Sequence, residues 1–227
     1  MTASRGRVPV SRRERPAKPA LSRDGIVAVA VRIMHEEGLE KATMRRLAQE
    51  LDTGAASLYV YVRNTAELHG AVLDQLLTTI DLSPEAPAGQ WRERLIELLG
   101  AYTELLFTRP SLARSALTLR PTGPHYLRLV DSLLALLRAG DVPVRQAAWG
   151  VDLLVQLATA TAAEQGTRKE TGAGDDLTFY VRDVPAGEYP DIARVGDELI
   201  SGTGRQRGRW AFEALIDGIA TTGTPAG

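Results

Sequence analysis

The sequence predicts an all-α protein, and three observations carry that prediction. Apolar residues recur at three- and four-residue spacing through most of the 227 residues, while strand-like signal is confined to a few residues around Leu177–Val181. Several helical segments have readable ends: Ser22 and Thr43 as caps, Gly38, Pro110 and Pro121 as stops. Finally, Thr43–Leu68 reads as two short helices about a tight turn, ahead of a longer helical region. The expected organisation is a disordered basic arm over 1–21, a three-helix helix-turn-helix domain over 22–80, and a second helical domain over 90–220.

Taken in order, residues 1–21 hold three prolines and six basic residues (Arg5, Arg7, Arg12, Arg13, Arg15, Lys18) against the single acid Glu14. With almost no apolar periodicity, this arm is expected to be disordered in the free protein. It serves either as a solubilising end or, beside a DNA-reading unit, as a phosphate or minor-groove arm. The first helix starts at Ser22, with Leu21 and Ile26 as a hydrophobic staple and Ile26, Val29, Ala30 and Ile33 as core stripe. Gly38 closes it. The second helix is capped by Thr43 and buries Met44, Leu47, Ala48 and Leu51. A turn at Asp52-Thr53-Gly54 follows, where Asp52 tolerates the left-handed conformation better than most residues.

The next helix opens with small residues, Ala55, Ala56 and Ser57, and ends on Leu58-Tyr59-Val60-Tyr61-Val62. Gly54 offers no side-chain cap, so this helix is expected to start loosely. A fourth helix opens near Thr65 and carries Leu68, Val72, Leu76 and Leu77. After a proline-containing break at 81–89, helices are expected over Trp91–Phe107, Ser111–Leu119, Pro124–Arg138 and Pro143–Gln165. Residues 166–190 read as a flexible loop, and a final pair of helices spans 191–200 and 206–220.

The pattern at 43–68 is that of a helix-turn-helix, whose second helix can lie in the DNA major groove. Small side chains at its front let the backbone approach the groove, and Tyr59, Tyr61, Arg63 and Asn64 suit phosphate oxygens. A helical hairpin buried for stability alone would share the apolar spacing. The string L-A-x-x-L, then S-L-Y-x-Y-V-x-N, then x-x-E-L resembles the DNA-binding domain of the TetR family of bacterial transcriptional regulators. The resemblance implies that Thr43 bonds a phosphate as well as capping its helix and that Arg45 reaches a guanine edge. It implies that Ala55, Ala56 and Ser57 face bases and that Tyr59, Tyr61 and Arg63 grip phosphates. Arg46 is either a DNA contact or a solvated surface residue. Where the family usually has a lysine opening the fourth helix, this chain has Thr65, whose hydroxyl can still meet a phosphate at a helix N-terminus.

The likeness extends further. Trp91, Leu119-Arg120-Pro121-Thr122, Tyr126, and Phe212 with Leu215-Ile216-Asp217-Gly218 resemble the regulatory domain of the tetracycline-repressor branch. That resemblance implies a homodimer built from the last two long helices, with Ala147, Val151, Ala158, Ala162, Trp210, Phe212 and Ile216 at the interface; intramolecular core is the alternative for the same stripes. It also implies a small-molecule pocket, for which Leu98, Tyr102, Leu106, Ala116, Leu119, Arg120, His125, Leu129, Trp149 and Gln156 are candidates. Each of these serves equally well as ordinary core, and His125, just after a helix start, suits a capping role. The branch's magnesium-binding histidine falls at Ala116, its drug-reading amides at Leu98 and Ser132, and its metal-supporting carboxylate near Ala163. An effector other than magnesium–tetracycline, bound without metal or other cofactor, is therefore expected.

Composition bounds the remaining possibilities. There is no cysteine, hence no disulfide or thiolate chemistry, and His35, His69 and His125 form no local metal-ligand pair. No apolar run approaches bilayer length, and no apolar signal region follows the arginines, so a cytoplasmic protein with no membrane partner is expected. No Gly-rich phosphate loop, G-x-S-x-G elbow or catalytic triad is present, which argues against an enzyme. The sequence thus points to a ligand-responsive regulator, a dimeric repressor released by a small molecule from a pseudo-palindromic operator. An effector-free DNA-binding dimer, or an activator, remains the alternative.

Overall fold

The computed structural model describes residues 20–119, 121–172 and 181–225. The head begins with α1 (Arg23–Glu37), whose Ser22 cap accepts the Gly25 N–H at 3.1 Å. Gly38, at φ 95°, ends it in a conformation that a side chain would strain. A 3-10 turn over Leu39–Lys41 leads to α2 (Met44–Glu50), capped by Thr43 Oγ1 on the Arg46 N–H. Asp52 takes φ 47° in the turn that follows. Then comes α3 (Ala55–Leu58), which has no side-chain cap, as Gly54 foretold. Helical bonds continue past it, with the Tyr61 and Val62 N–H groups both donating to the Leu58 carbonyl. Asn64 caps α4 (Thr65–Leu76) by accepting the Glu67 N–H at 2.8 Å. The head closes because Ile26, Ile33, Leu47, Leu58, Val62, Leu68 and Val72 leave water completely. Each such aliphatic side chain contributes about 1.5–3 kcal/mol of burial.

The body comprises α5 (Trp91–Phe107), α6 (Pro110–Thr118), α7 (Pro124–Ala139), α8 (Val144–Thr171), α9 (Pro190–Ile200) and α10 (Gly204–Thr221). The 28-residue α8 is the spine, packing on α5, α6, α7 and α10. Two ion-pair contacts add to the burial of α10 on the body. Arg209 forks onto Glu93 at 2.8 and 2.6 Å, and Arg92 meets Asp217 at 2.6 Å. Head and body join through α4, which packs on α6 and α7, so one apolar core runs from Ile26 to Ile219.

Two expectations for the body are corrected. The long helix does not stop at Gln165: residues 166–171, expected as loop, continue α8. A Cβ at Gly166 would lie 2.8 Å from the Phe107 carbonyl, so the glycine marks a close helix crossing rather than a break. Arg114 on α6 then meets Thr167 and Glu170 of this extra length at 2.8 and 3.3 Å. Of the strand-like residues, 177–180 lie outside the described residues, and Val181 is helical and buried. The basic arm also lies outside them, apart from Ala20 and Leu21.

Candidate functional site

One face of the head carries a connected exposed surface from the two short helices. Arg45 projects from α2 into solvent, as do Ala56 and Ser57 of α3, while Ala55 is half-buried against the core. Tyr59 is 50% exposed and Val60 80%. Sequence reasoning passed over Val60. The signal was available: Leu58 and Val62 point inward four residues apart, which turns Val60 outward. Tyr61 is half-buried, and Arg63, Thr43 and Thr65 are exposed.

Several residues expected at DNA also have partners within the chain. Arg46 bridges Glu37 at 2.8 Å and also pairs with Glu50, tying α2 to α1. Hydrogen bonds from Arg32 and Arg46 hold the Glu50 carboxyl below its usual range, and Glu37 foremost raises the Arg46 guanidinium. This arginine is therefore an ion-paired surface group rather than a merely solvated one. Asn64 Oδ1 is used as the α4 cap. Arg63 keeps an exposed guanidinium although its N–H and Nε donate to Glu67 at 2.9 and 3.1 Å.

Behind the head, α5, α6, α7 and α8 surround a cavity of about 420 Å³. Of the ten residues expected to line a pocket, Tyr102, Ala116, Leu119 and Gln156 do so. Leu98, Leu106 and Leu129 are fully buried in the packed core. His125 takes part in a cap on α7 and lines a separate surface cleft beside residues 77–84 rather than this cavity, Trp149 lies on the solvent face with Arg145 stacked 5.3 Å from its ring, and Arg120 is outside the described residues. The lining missed by the sequence includes Pro121, Tyr126, Val130, Val151, Asp152, Val155 and Thr159. Four of these share the α8 face of Gln156 at helical spacing, so extending that stripe would have found them.

The cavity's polar groups have a defined sense. Thr159 donates its single hydroxyl proton to the Val155 carbonyl at 2.8 Å. The 3.1 Å contact between Tyr102 and Thr159 therefore has the phenol as donor, leaving its oxygen to accept. Burial pushes the Tyr102 phenol well above its ordinary value, so it stays neutral. Asp152 and Gln156 add a carboxylate and an amide at the exposed edge. Ala116 presents only a methyl, and Ser132 points elsewhere, donating to the Leu82 carbonyl at 2.5 Å. Among the described residues no three His, Asp or Glu side chains converge as metal ligands.

Cavity-lining helices also hold the head. On α6, Ser115 lies 2.9 Å from His69 of α4, and Ser111 donates to Glu40. On α7, the His125 and Tyr126 N–H groups both donate to Asp74 of α4 at 2.9 Å, with His125 Nδ1 3.0 Å from the same carboxylate.

The dimer residues fall differently from expectation. Ala147, Val151, Ala158, Ala162, Phe212 and Ile216 are buried within this chain, and only Trp210 stands out, 70% exposed. The small residues of α8 serve close packing inside the chain: a Cβ at Gly150 would lie 2.6 Å from Ile219 of α10. Half-exposed Trp149 and Leu153 lie on the other side of α8.

Comparisons with known proteins agree with this architecture. Residues 26–72 match the family described as bacterial regulatory proteins, tetR family, and residues 83–222 match the tetracyclin repressor-like C-terminal domain. The chain is 30% identical over 220 residues to the HTH-type transcriptional repressor DrrR1 of Streptomyces coeruleorubidus, covering 92% of this chain and 80% of that protein. The crystal structure of SCO7704, a Streptomyces protein described as a putative transcription regulator, superposes with a TM-score of 0.81 at 53% identity, covering 92% of this chain and all of that one. ActR of Streptomyces coelicolor, crystallised with actinorhodin, superposes with a TM-score of 0.78 at 36% identity over 88% of this chain and 97% of that one.

Proposed function

The chain belongs to the TetR family of bacterial regulatory proteins, and from that premise we propose that it is a dimeric, effector-released transcriptional repressor. The observation that carries this reading is the placement of the cavity. The helices lining it, α6 and α7, are the ones hydrogen-bonded to α4 of the head. A ligand there acts on the elements that set the position of the DNA-reading surface.

On DNA, Arg45 reads a base edge, Ala55, Ala56 and Ser57 approach the groove floor, and Tyr59, Tyr61, Arg63, Thr43 and Thr65 take phosphates. Val60 joins the base-facing group, its methyls suited to a thymine methyl. Two heads are needed for a pseudo-palindrome. Trp149 and Leu153 of α8, with Trp210 of α10, supply the apolar face through which a second copy docks, since large aromatics left in water mark association surfaces.

The effector is an organic molecule with an apolar frame and hydrogen-bond donors. Val130, Val151, Val155, Leu119 and Ala116 meet the frame, while Tyr102 and Asp152 accept and Gln156 supplies both senses. Loss of the histidine of the tetracycline branch at Ala116, and of its amides at Leu98 and Ser132, argues against magnesium–tetracycline. The likeness to ActR makes actinorhodin the first compound to titrate.

Selection of DNA from a random pool tests the reading. An enriched inverted repeat, bound by two copies and released by a compound that also raises the melting temperature, is the expected result. Enrichment without a consensus would overturn it.

A further inference from the structure

We propose that Asp74 is a positioning residue that couples the first turn of α7, and through it the cavity, to the DNA-reading head. The proposal rests on the repressor reading above and adds to it the group that carries the signal.

A helix N-terminus leaves its first N–H groups without partners, and a neighbouring side chain normally takes them. Helices α3, α5, α6, α8 and α9 have no side-chain cap, while α1, α2, α4 and α10 follow this rule with their own cap residues, Ser22, Thr43, Asn64 and Thr203. By contrast, α7 has Gly123 at its cap position, which has no side chain to offer, and Pro124 next, which has no N–H. Its two orphan donors, at His125 and Tyr126, are taken by a carboxylate from a different part of the chain. Asp74 lies about fifty residues earlier, near the end of the helix that leaves the recognition turn. The graft is tight: a Cβ at Gly123 would sit 2.1 Å from Asp74 Cγ, so a local cap is sterically excluded while the imported one is in place.

This arrangement costs more than packing alone requires. Asp74 is 9% exposed, and taking a carboxylate that far from water is unfavourable unless hydrogen bonds replace its hydration. The same turn of α7 faces two ways. Asp74 and the His125 ring bond on one side, while Tyr126 and Val130, one helical turn apart, line the cavity on the other. Leu119 and Pro121, in the approach to that turn, line it as well. A ligand that shifts Tyr126 therefore shifts the donors that Asp74 grips. A 12-residue helix spans about 18 Å, and α4 carries that displacement to Asn64 and the recognition turn. Bonds of fixed direction give the junction distinct made and broken states, as coupling between two sites requires.

Coupling is reciprocal, so the test needs no effector. The full-length protein is subjected to hydrogen–deuterium exchange with and without its selected operator duplex, following the peptide over 119–130 and those of α2 and α3. In the wild type, operator binding should slow exchange of the His125 and Tyr126 amides about tenfold, the scale of one hydrogen bond. Asp74→Ala should keep the operator footprint on α2 and α3 but lose the change in α7. Asp74→Asn, whose Oδ1 still accepts, should retain part of it. A merely structural cap predicts faster exchange in Asp74→Ala with the operator response intact, and that outcome would overturn the proposal. So would a wild type whose head is protected while α7 does not respond. Should Asp74→Ala not fold, Gly123→Ala displaces the same carboxylate, and persistence of the α7 response in that variant is equally fatal. Absence of any footprint on α2 and α3 would instead count against the repressor reading itself.

Discussion

Gly123→Ala should be one of the most destabilising single-methyl additions in this chain, and the size of the effect follows from the geometry. The backbone there is ordinary, at φ −71° and ψ 159°, so alanine meets no conformational penalty. In isolation it would gain about 0.4–1 kcal/mol by restricting the unfolded chain. Against that, its methyl carbon would lie 2.1 Å from Asp74 Cγ and 2.2 and 2.6 Å from the two carboxylate oxygens. Non-bonded carbon contacts settle near 3.5–4.0 Å, so the carboxylate must retreat by more than about 1 Å. Its bonds to the His125 and Tyr126 N–H groups, now 2.9 Å each, then pass out of hydrogen-bonding range. A hydrogen bond to a charged group contributes about 1.5–3 kcal/mol. With partial relaxation and the alanine gain deducted, the net loss is about 2–4 kcal/mol, or roughly 5–15 °C in Tm for a chain of this size. Urea unfolding followed by circular dichroism measures it. The discriminating step is the double variant: in an Asp74→Ala background the methyl meets no carboxylate, and Gly123→Ala should change stability by no more than about 0.5–1 kcal/mol. An equal cost in both backgrounds, or a gain in the wild type, would refute the steric account.

Arg45→Ala should weaken operator binding by about 1–3 kcal/mol and relax preference at one base pair of each half-site, with Tm unchanged; anisotropy titrations against single-base operator variants measure both. Arg46→Ala should do the reverse, lowering Tm because Glu37 loses its partner and Glu50 is left with Arg32 alone, with little change in base preference. His69 should make stability fall with acidity. Burial lowers its affinity for a proton, partly opposed by Glu40, so the unfolded chain binds the proton more readily than the folded one. Its contribution is fully present above its ordinary value of 6.5 and is lost as pH falls from there through its lower folded value. Urea midpoints between about pH 7 and 5 should decline less in His69→Gln than in the wild type; identical slopes would remove His69 from the pH response.

What could be read from the sequence was what neighbours in the chain decide. Ser22 and Thr43 cap their own helices, Gly38 and Asp52 adopt positive φ, and α5 begins and ends where its apolar spacing does. Each depends on contacts within a turn or two. What could not be read was the choice among distant partners. The small residues of α8 permit close approach without naming the helix that approaches, and α5, α6 and α10 of the same chain take that place. The candidate cavity was half legible for the same reason. Tyr102 and Gln156 line it, yet Leu98 and Leu106, on the same helix as Tyr102, are turned into the core. Arg46 divides the same way: its partner Glu50, four residues on, is visible in the sequence, whereas Glu37 of α1 is brought to it only by the fold.

The junction shows why the head needs polar attachment as well as burial. Leu73, Leu76 and Leu77 at the end of α4 are buried, and their apolar contacts are strong but without direction. Such contacts alone would tolerate small slides and rotations of α4 at little cost, which would blur the position of the DNA-reading surface relative to the body. The bonds from His125 and Tyr126 to Asp74, and the His69–Ser115 contact, select one rotation and one height of that helix. They attach it to two successive helices, α6 and α7, whose connection runs along the cavity through Leu119 and Pro121. Burial therefore sets the strength of the junction, while these few polar groups set its position. Under the repressor reading proposed above, a small molecule would act on position far more readily than on strength: it need displace only a turn of α7, whereas separating the apolar surfaces would require unfolding the core.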